Sequence, residues 1–430
     1  MVKKPLFRDN DLVENYPGKP IDLMSARLSI DLDELVESLP MKEGKRLAQI
    51  IKSSSKKING VHSLLTYPFY WLRNFVFPIG TRSFSDFVVE MYGEETSFDF
   101  DSEQVVHFPS QKNSIRDPLE LLVLNTIINQ RDQGNKNIGI AVPQPNWPGI
   151  WETFLGYELG AYKPLPFSAR TEDEYVRNFK KLAQKGEVSV HIIPGQMKPG
   201  MWSLSPRALE LLDEVHKEHN IVPIVDEYSR SIQYIPEKRE SLASFLDNPA
   251  VIFHTAKLFG HNHQINSAGA ILPKNHKNIA FHNLPDVVDR VYGDALHGLW
   301  LYGSQAIREQ VKQRNEKLDD LLNEAGVDSN DIIRYSDSHP NTSIRLGDYR
   351  PRNIDPEVFF SAIEKTHGVS TVPAEGFYHP SFLAIQRGMT GRRKPFKLPE
   401  LVRLTVADPK VYEEGARRFA EAIKFYKQFK

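Results

Sequence analysis

The chain of 430 residues has no cysteine. Disulfides, thiolate-bound metals and a cysteine nucleophile are thereby excluded, so stability has to come from buried apolar surface. Long apolar runs are also lacking. The most hydrophobic stretch, Leu119–Ile128, is interrupted by Glu120, Asn125 and Thr126 and is too short for a bilayer. The basic residues in Met1-Val-Lys-Lys-Pro-Leu-Phe-Arg-Asp have no apolar core behind them, so no secretory signal is expected. Neither sign of charge is in excess. With 54 basic and 55 acidic residues the formal net charge is −1, which argues against nucleic acid or an anionic membrane as the partner. Repeats and low-complexity tracts are absent. The expectation is a soluble, cytoplasmic protein.

What is present is an alternating pattern. The length suits two domains at roughly 100–200 residues each. Residues 1–75 read as an arm with part of a smaller domain, 76–303 as a large domain, and 304–430 as the rest of the smaller one. Helices are expected over Ile115–Arg131, Trp151–Leu159 and Ser205–His219, the last with Leu209, Leu212 and Val215 on one face. Strands are expected at Ile138–Val142, Glu187–Ile193, Ile221–Val225, Val251–His254 and Ala268–Leu272. Beyond residue 300 come a helix from Gln305 to Ala325 capped by Gly326, and helices at Pro356–Lys365 and Pro409–Tyr426. Short strands at Thr342–Leu346, Val369–Val372, Leu383–Arg387 and Val402–Val406 lie among them. The fold class is α/β: a mostly parallel sheet flanked by helices, with a smaller α+β domain built from the N- and C-terminal segments.

Ligands of open α/β sheets sit beyond the carboxyl ends of the strands. The polar residues there are Gln144, Asn146 and Trp147 after Val142, Gln196 after Ile193, Asp226 after Val225, and Thr255 and Lys257 after His254. A lysine, an acid and a flat aromatic at successive strand ends suit pyridoxal 5′-phosphate. That cofactor needs an amine for its imine, a carboxylate to keep its ring nitrogen protonated, and a surface to stack on.

The motif order over roughly residues 105–428 resembles the aspartate-aminotransferase-like family of fold-type-I, class I/II enzymes. The resemblance implies that Lys257, in His254-Thr-Ala-Lys-Leu-Phe-Gly260, forms the imine and acts as general base. Trp147, in Val142-Pro-Gln-Pro-Asn-Trp-Pro148, would stack on the ring, and Asp226, in Ile224-Val-Asp-Glu-Tyr228, would pair with its nitrogen. Asn113 and Ser114, just where a helix begins, would grip the phosphate. Tyr228, Thr255 and Gln196 complete the cofactor set. Arg403, in Val402-Arg-Leu-Thr-Val406, would clamp the substrate carboxylate. Gly368-Val-Ser-Thr-Val-Pro-Ala-Glu-Gly-Phe377 resembles the family's glycine-rich strand and turn. The implied activity is transamination between an α-amino acid and a keto acid by a homodimer, with Tyr67 or Tyr70 reaching the neighbouring phosphate.

Three departures from the family pattern stand out. Pro194-Gly-Gln-Met-Lys-Pro-Gly200 lacks the asparagine that contacts the ring hydroxyl, leaving Gln196 as the donor. Gly260–Gly269 lacks the phosphate arginine, leaving His261, His263, Asn266 or Ser267. Tyr228 follows the acid by two residues, with Ser229 at the third. These differences keep open a second reading on the same scaffold: a pyridoxal-phosphate lyase, cyclase, decarboxylase or oxidase. No metal is expected, since His261 and His263 have no evident third ligand. Arg392-Arg-Lys394 reads as a solvated turn, or an anion contact near a substrate mouth, rather than a nucleic-acid patch.

Overall fold

The computed structural model describes residues 21–22, 36–37, 39–49, 52, 82–109, 116–147, 149–150, 162–198, 200–255, 267–278, 286–333, 341–345, 349, 356–373, 401–405 and 409–428. The expected helix Trp151–Leu159 and strand Leu383–Arg387 lie outside the described residues.

After β1 (Ile21–Asp22), the chain enters helix α1 (Phe84–Glu95), strand β2 (Val105–Pro109) and helix α2 (Arg116–Asp132). Strands β3 (Gly139–Gln144) and β4 (Lys163–Ser168), helix α3 (Glu172–Ala183), strand β5 (Val188–Pro194) and helix α4 (Pro206–His219) follow. Strands β6 (Val222–Asp226), β7 (Ala250–His254) and β8 (Ser267–Ile271) complete one sheet of seven, in the order β2-β8-β7-β6-β5-β3-β4. Strands β7, β6, β5, β3 and β4 are parallel; β8 runs antiparallel to β7, and β2 antiparallel to β8.

Both sheet faces are covered, so the inner strands are apolar throughout and successive residues feed different cores. Ile140, Val142, Ile192, Ile224 and Ile252 pack with Leu119, Leu122, Val123 and Ile127, the helical stripe of α2. Ala141, Ile193, Val225, Val251 and Phe253 pack on the other side with α1, α3 and α4. Helix α4 begins as its sequence predicts. Ser205 caps it through the Ala208 amide, Pro206 stands in the first turn, and Leu209, Leu212 and Val215 are buried.

Helix α5 (Asp286–Glu324) starts well before the expected Gln305. Gly293, Gly298 and Gly303 weaken its intrinsic helicity. Packing overrides that cost: Val291, Tyr292, Ala295, Leu296, Leu299 and Trp300 are buried in the α1-side core, and Asp289 and Asp294 accept the Phe84 and Arg82 amides at the start of α1. The helix is about 58 Å long at 1.5 Å per residue. Its residues up to Val311 belong to the α1-side core, and Leu318 and Leu322 to a second one. Gly326, at φ +76°, ends it.

The second core lies among strands β9 (Ile332–Ile333), β10 (Asn341–Arg345), β12 (Val372–Pro373) and β13 (Leu401–Thr405), with helices α6 (Pro356–His367) and α7 (Pro409–Lys427). The four strands form an antiparallel sheet in the order β12-β13-β10-β9. Strand β11 (Val369–Ser370) pairs in parallel with β1, which joins an N-terminal piece to the C-terminal region. Among the described residues no helix is long and apolar enough to cross a membrane.

Candidate functional site

Strand order reverses at β3. The chain goes outward to β4, then returns to place β5 on the other flank of β3. At such a switch point the connections leave in opposite directions and open a crevice beyond the carboxyl ends. Asn146 and Trp147 follow β3 there, Gln196 follows β5, Asp226 ends β6, and Thr255 follows β7. Four adjacent strands at about 4.8 Å spacing thus carry these groups across about 14 Å. Strand β2 points the same way as β7, so Pro109 also lies at this end, and α2 is the next described element.

Alternation assigns the faces. Asp226 follows Ile224 and His254 follows Ile252, toward the α2 side, where Trp147 and Tyr228 also pack. The rings of Tyr228 and His254 lie 5.3 Å apart. Asp226 is half-buried and its Oδ1 accepts the Tyr228 amide at 3.1 Å. The Trp147 indole occupies the space where a side chain at Gly149 would begin, so only glycine leaves room for the ring there. Gly195 makes the other close approach: its amide donates to the Asp226 carbonyl at 2.8 Å, and a Cβ there would sit 2.7 Å from that oxygen.

Gln196 stands directly beside this contact. It is only 5% exposed, yet neither its Nε2 nor its Oε1 has a hydrogen-bond partner among the described residues. The Asn146 side chain, 3% exposed, accepts the Trp147 amide through Oδ1, but its Nδ2 is likewise buried without a partner. Leaving such groups unsatisfied costs about 1–3 kcal/mol each. A carboxylate, an indole and buried amides without donor partners among the described residues, at the ends of neighbouring strands, suit a planar, polar aromatic ligand such as pyridoxal phosphate.

Thr255 is differently placed. Its hydroxyl donates to the Ser267 carbonyl and accepts the Ser267 amide, both at 2.9 Å, so it has no proton left for a phosphate. These bonds tie together the two ends of the connection containing Lys257. Lys257 itself, with Asn113, Ser114, His261, His263, Asn266, Tyr67, Tyr70 and Arg392–Lys394, lies outside the described residues. Ser267 is buried; its Oγ is 2.9 Å from His107 Nε2, and His107 Nδ1 is 2.9 Å from Asp289 Oδ1. Arg403 is central in β13, opposite Ser343 and Val372, and its side chain is not among those described. No cluster of three or more metal-ligating side chains occurs among the described residues.

A buried polar network next to this crevice was not anticipated. Glu227 receives Tyr92 Oη at 2.9 Å and Arg230 Nε at 3.1 Å on Oε2, and Ser241 Oγ at 2.5 Å and the Leu242 amide at 3.1 Å on Oε1. Glu95 holds Arg230 at 3.2 Å, and Arg239 and Arg308 at 2.5 Å each. Burial pushes the Glu227 carboxyl up, while Arg230 and the hydrogen bonds from Ser241 and Tyr92 pull it back. Burial lowers Arg308 to about 10. The only sequence signal was an acid directly after Asp226.

No family model and no curated protein matches the sequence. Solved structures do match in fold. A pyridoxal-phosphate-bound C–S lyase from Staphylococcus hominis aligns with TM-score 0.65 at 14% identity, over 98% of each chain. An aspartate aminotransferase variant from Thermus thermophilus aligns with TM-score 0.62 at 14% identity, covering 93% of this chain and 96% of its own. An aromatic aminotransferase from Pyrococcus horikoshii gives 0.61 at 15% identity, with 97% and 98% covered. The chain therefore has the aspartate-aminotransferase-like fold of pyridoxal-phosphate-dependent enzymes.

Proposed function

We propose that this chain binds pyridoxal 5′-phosphate across the carboxyl ends of β3, β5, β6 and β7 and transfers an amino group from an α-amino acid to a keto acid. The feature that supports this reading is that Trp147, Gln196 and Asp226 follow neighbouring strands at the switch point of this fold, with the Gln196 amide lacking a partner among the described residues. Asp226 holds a proton on the ring nitrogen, Trp147 covers one ring face against water, and Gln196 Nε2 donates to the ring oxygen, with Tyr228 bordering that side. Asn113, Ser114 and the first amides of α2 hold the phosphate, where the helix terminus favours negative charge. When bound, the cofactor supplies an electron sink for charge developing at the substrate Cα. Lys257 would hold the cofactor through Nζ and, once the substrate amine had displaced it, the freed amine would take the Cα proton and return it, while Arg403 would orient the substrate carboxylate. Thr255 serves by closing the connection around Lys257 rather than by touching the phosphate. The same reading makes the protein a homodimer.

A second reading is β-elimination, supported by the lyase among the structural neighbours. Two measurements decide. Borohydride reduction of the cofactor-loaded protein should label Lys257, and Lys257→Ala should abolish the label and turnover; a tag on another lysine overturns the cofactor site. Amino acids should then convert the bound cofactor to pyridoxamine 5′-phosphate, reversed by a keto acid. Ammonia release without that conversion establishes elimination instead.

A further inference from the structure

We propose that Glu227 is a positioning residue: held rigidly on the α1 side of the sheet, it fixes the direction of the Asp226 carboxylate on the other. This rests on the reading of Asp226 as the partner of a ring nitrogen.

The geometry begins with the last peptide of β6. Strand ends fray unless their backbone groups are paired. Here the Asp226 carbonyl accepts the Gly195 amide from β5 at 2.8 Å, and the Glu227 amide donates to the Ile252 carbonyl of β7 at 2.8 Å. The peptide is thus tied on both sides. What remains free is its twist about the strand axis, which would swing the carboxylate at 226. Successive residues face opposite sides, so pinning the side chain at 227 pins the direction at 226.

Glu227 is pinned thoroughly. It is 4% exposed, and its two oxygens receive four donors from three segments: Tyr92 on α1, Arg230 beyond β6, and Ser241 and Leu242 in the following turn. Arg230 is itself fixed by Glu95, by the Arg239 carbonyl at 2.7 Å and by the Tyr92 ring, 4.2 Å from its guanidinium carbon. Arg308 reaches Glu95 from α5, so two long helices anchor the assembly. Gln196, Asp226, Glu227 and Arg230 line one cavity, so the clamp and the crevice share a wall.

Each Glu227 oxygen faces one donor that can never accept: Arg230 Nε on Oε2 and the Leu242 amide on Oε1. Glu227→Gln therefore forces an NH2 against a donor whichever way the amide turns, and the clamp opens without loss of volume. Tyr92→Phe removes one donor with no change of charge.

The test compares the affinity of the apoprotein for pyridoxal 5′-phosphate and for its 1-deaza analogue, in which CH replaces the ring nitrogen. Fluorescence quenching supplies the readout. Wild type should prefer the nitrogen-bearing cofactor on the order of tenfold, the worth of a hydrogen bond to a charged group. Glu227→Gln should bring the preference close to unity, and Tyr92→Phe should reduce it by about threefold. Equal weakening of both ligands, with the preference intact, means Glu227 is only structural and overturns the proposal. Should Glu227→Gln fail to fold, Tyr92→Phe and Ser241→Ala decide by the same ratio. No preference in wild type overturns the ring-nitrogen role of Asp226 and the positioning role with it, a result distinct from a wild-type preference that the variants leave untouched.

Discussion

Asp226 and Glu227 are adjacent in sequence and face opposite sides of one sheet, in contrasting surroundings. On the α1 side most of the described buried polar groups of two networks are paired, His216 Nδ1 and Arg239 Nε being the exceptions. Glu227 has four donors, and His191 bridges Tyr175 Oη and His216 Nε2 at 2.9 Å each while stacking on Phe179 at 3.7 Å. At the strand ends, Gln196 and Asn146 are equally buried and keep polar atoms without partners among the described residues. Buried polar groups ordinarily find partners. The open groups of Gln196 and Asn146 at the strand ends fit the proposal that a ligand is received there. In the proposed reading the α1 side supports and the strand ends receive.

That contrast can be broken most forcefully on the supporting side. Glu227→Ala should cost about 3–5 kcal/mol of stability, because it strands Arg230 in the interior. A urea midpoint equal to wild type would show that the network supports nothing. Asp226→Asn should do the reverse. The amide retains an oxygen for the Tyr228 N–H, so stability should move by less than about 1 kcal/mol, while turnover falls on the order of 10²–10³-fold. Loss of folding with retained specific activity would invert the comparison.

Acid offers a third probe. Burial holds His216 at about 3, and burial together with His216 depresses His191. Unfolded histidines titrate near 6.5, so below that pH the unfolded state binds more protons than the folded one. Their stability contribution is complete above about pH 6.5 and declines as the pH falls, by about 2 kcal/mol at pH 5 for His216 alone. His216→Leu should flatten the dependence of the urea midpoint between pH 7 and 5, and an unchanged slope would exclude this pair as its source.

Gln196→Leu should weaken cofactor binding about tenfold while leaving the apoprotein as stable as wild type or slightly more so, since an unpaired amide disappears. A destabilised apoprotein with normal affinity would place Gln196 on the supporting side. The smallest effect belongs to the surface of α7. Arg417 bonds Glu414 and Glu421 in solvent, and Arg417→Ala should change stability by less than about 0.5 kcal/mol in a thermal melt.

Much of this architecture was legible beforehand. β3, β5, β6, β7 and β8 agree with the expected strands within a residue or two, because short apolar runs bounded by Pro, Asp or His mark buried strands, parallel or, for β8, antiparallel. α2 and α4 followed from their stripes and caps. β4 was not foreseen: Lys-Pro-Leu-Pro-Phe-Ser reads as a breaker, yet it pairs only with β3 at the sheet edge, where a missing N–H is tolerated. α3 also escaped notice. It is mostly charged, and only Tyr175, Phe179 and Ala183, each four residues apart, mark its buried stripe.

By itself the sequence determined which chemistry was on offer: an acid, an indole, an amide and a lysine at ends of apolar strands, in one order. Such features are local, set by strand period and turn-forming residues. Only the tertiary structure decided that the ends of β3, β5, β6 and β7 lie side by side at the reversal of strand order, that Gln196 is buried without a partner among the described residues, and that Glu227 is gripped from α1 and the following turn. Those outcomes depend on contacts between residues far apart along the chain, such as Tyr92 with Glu227, and no local pattern records them.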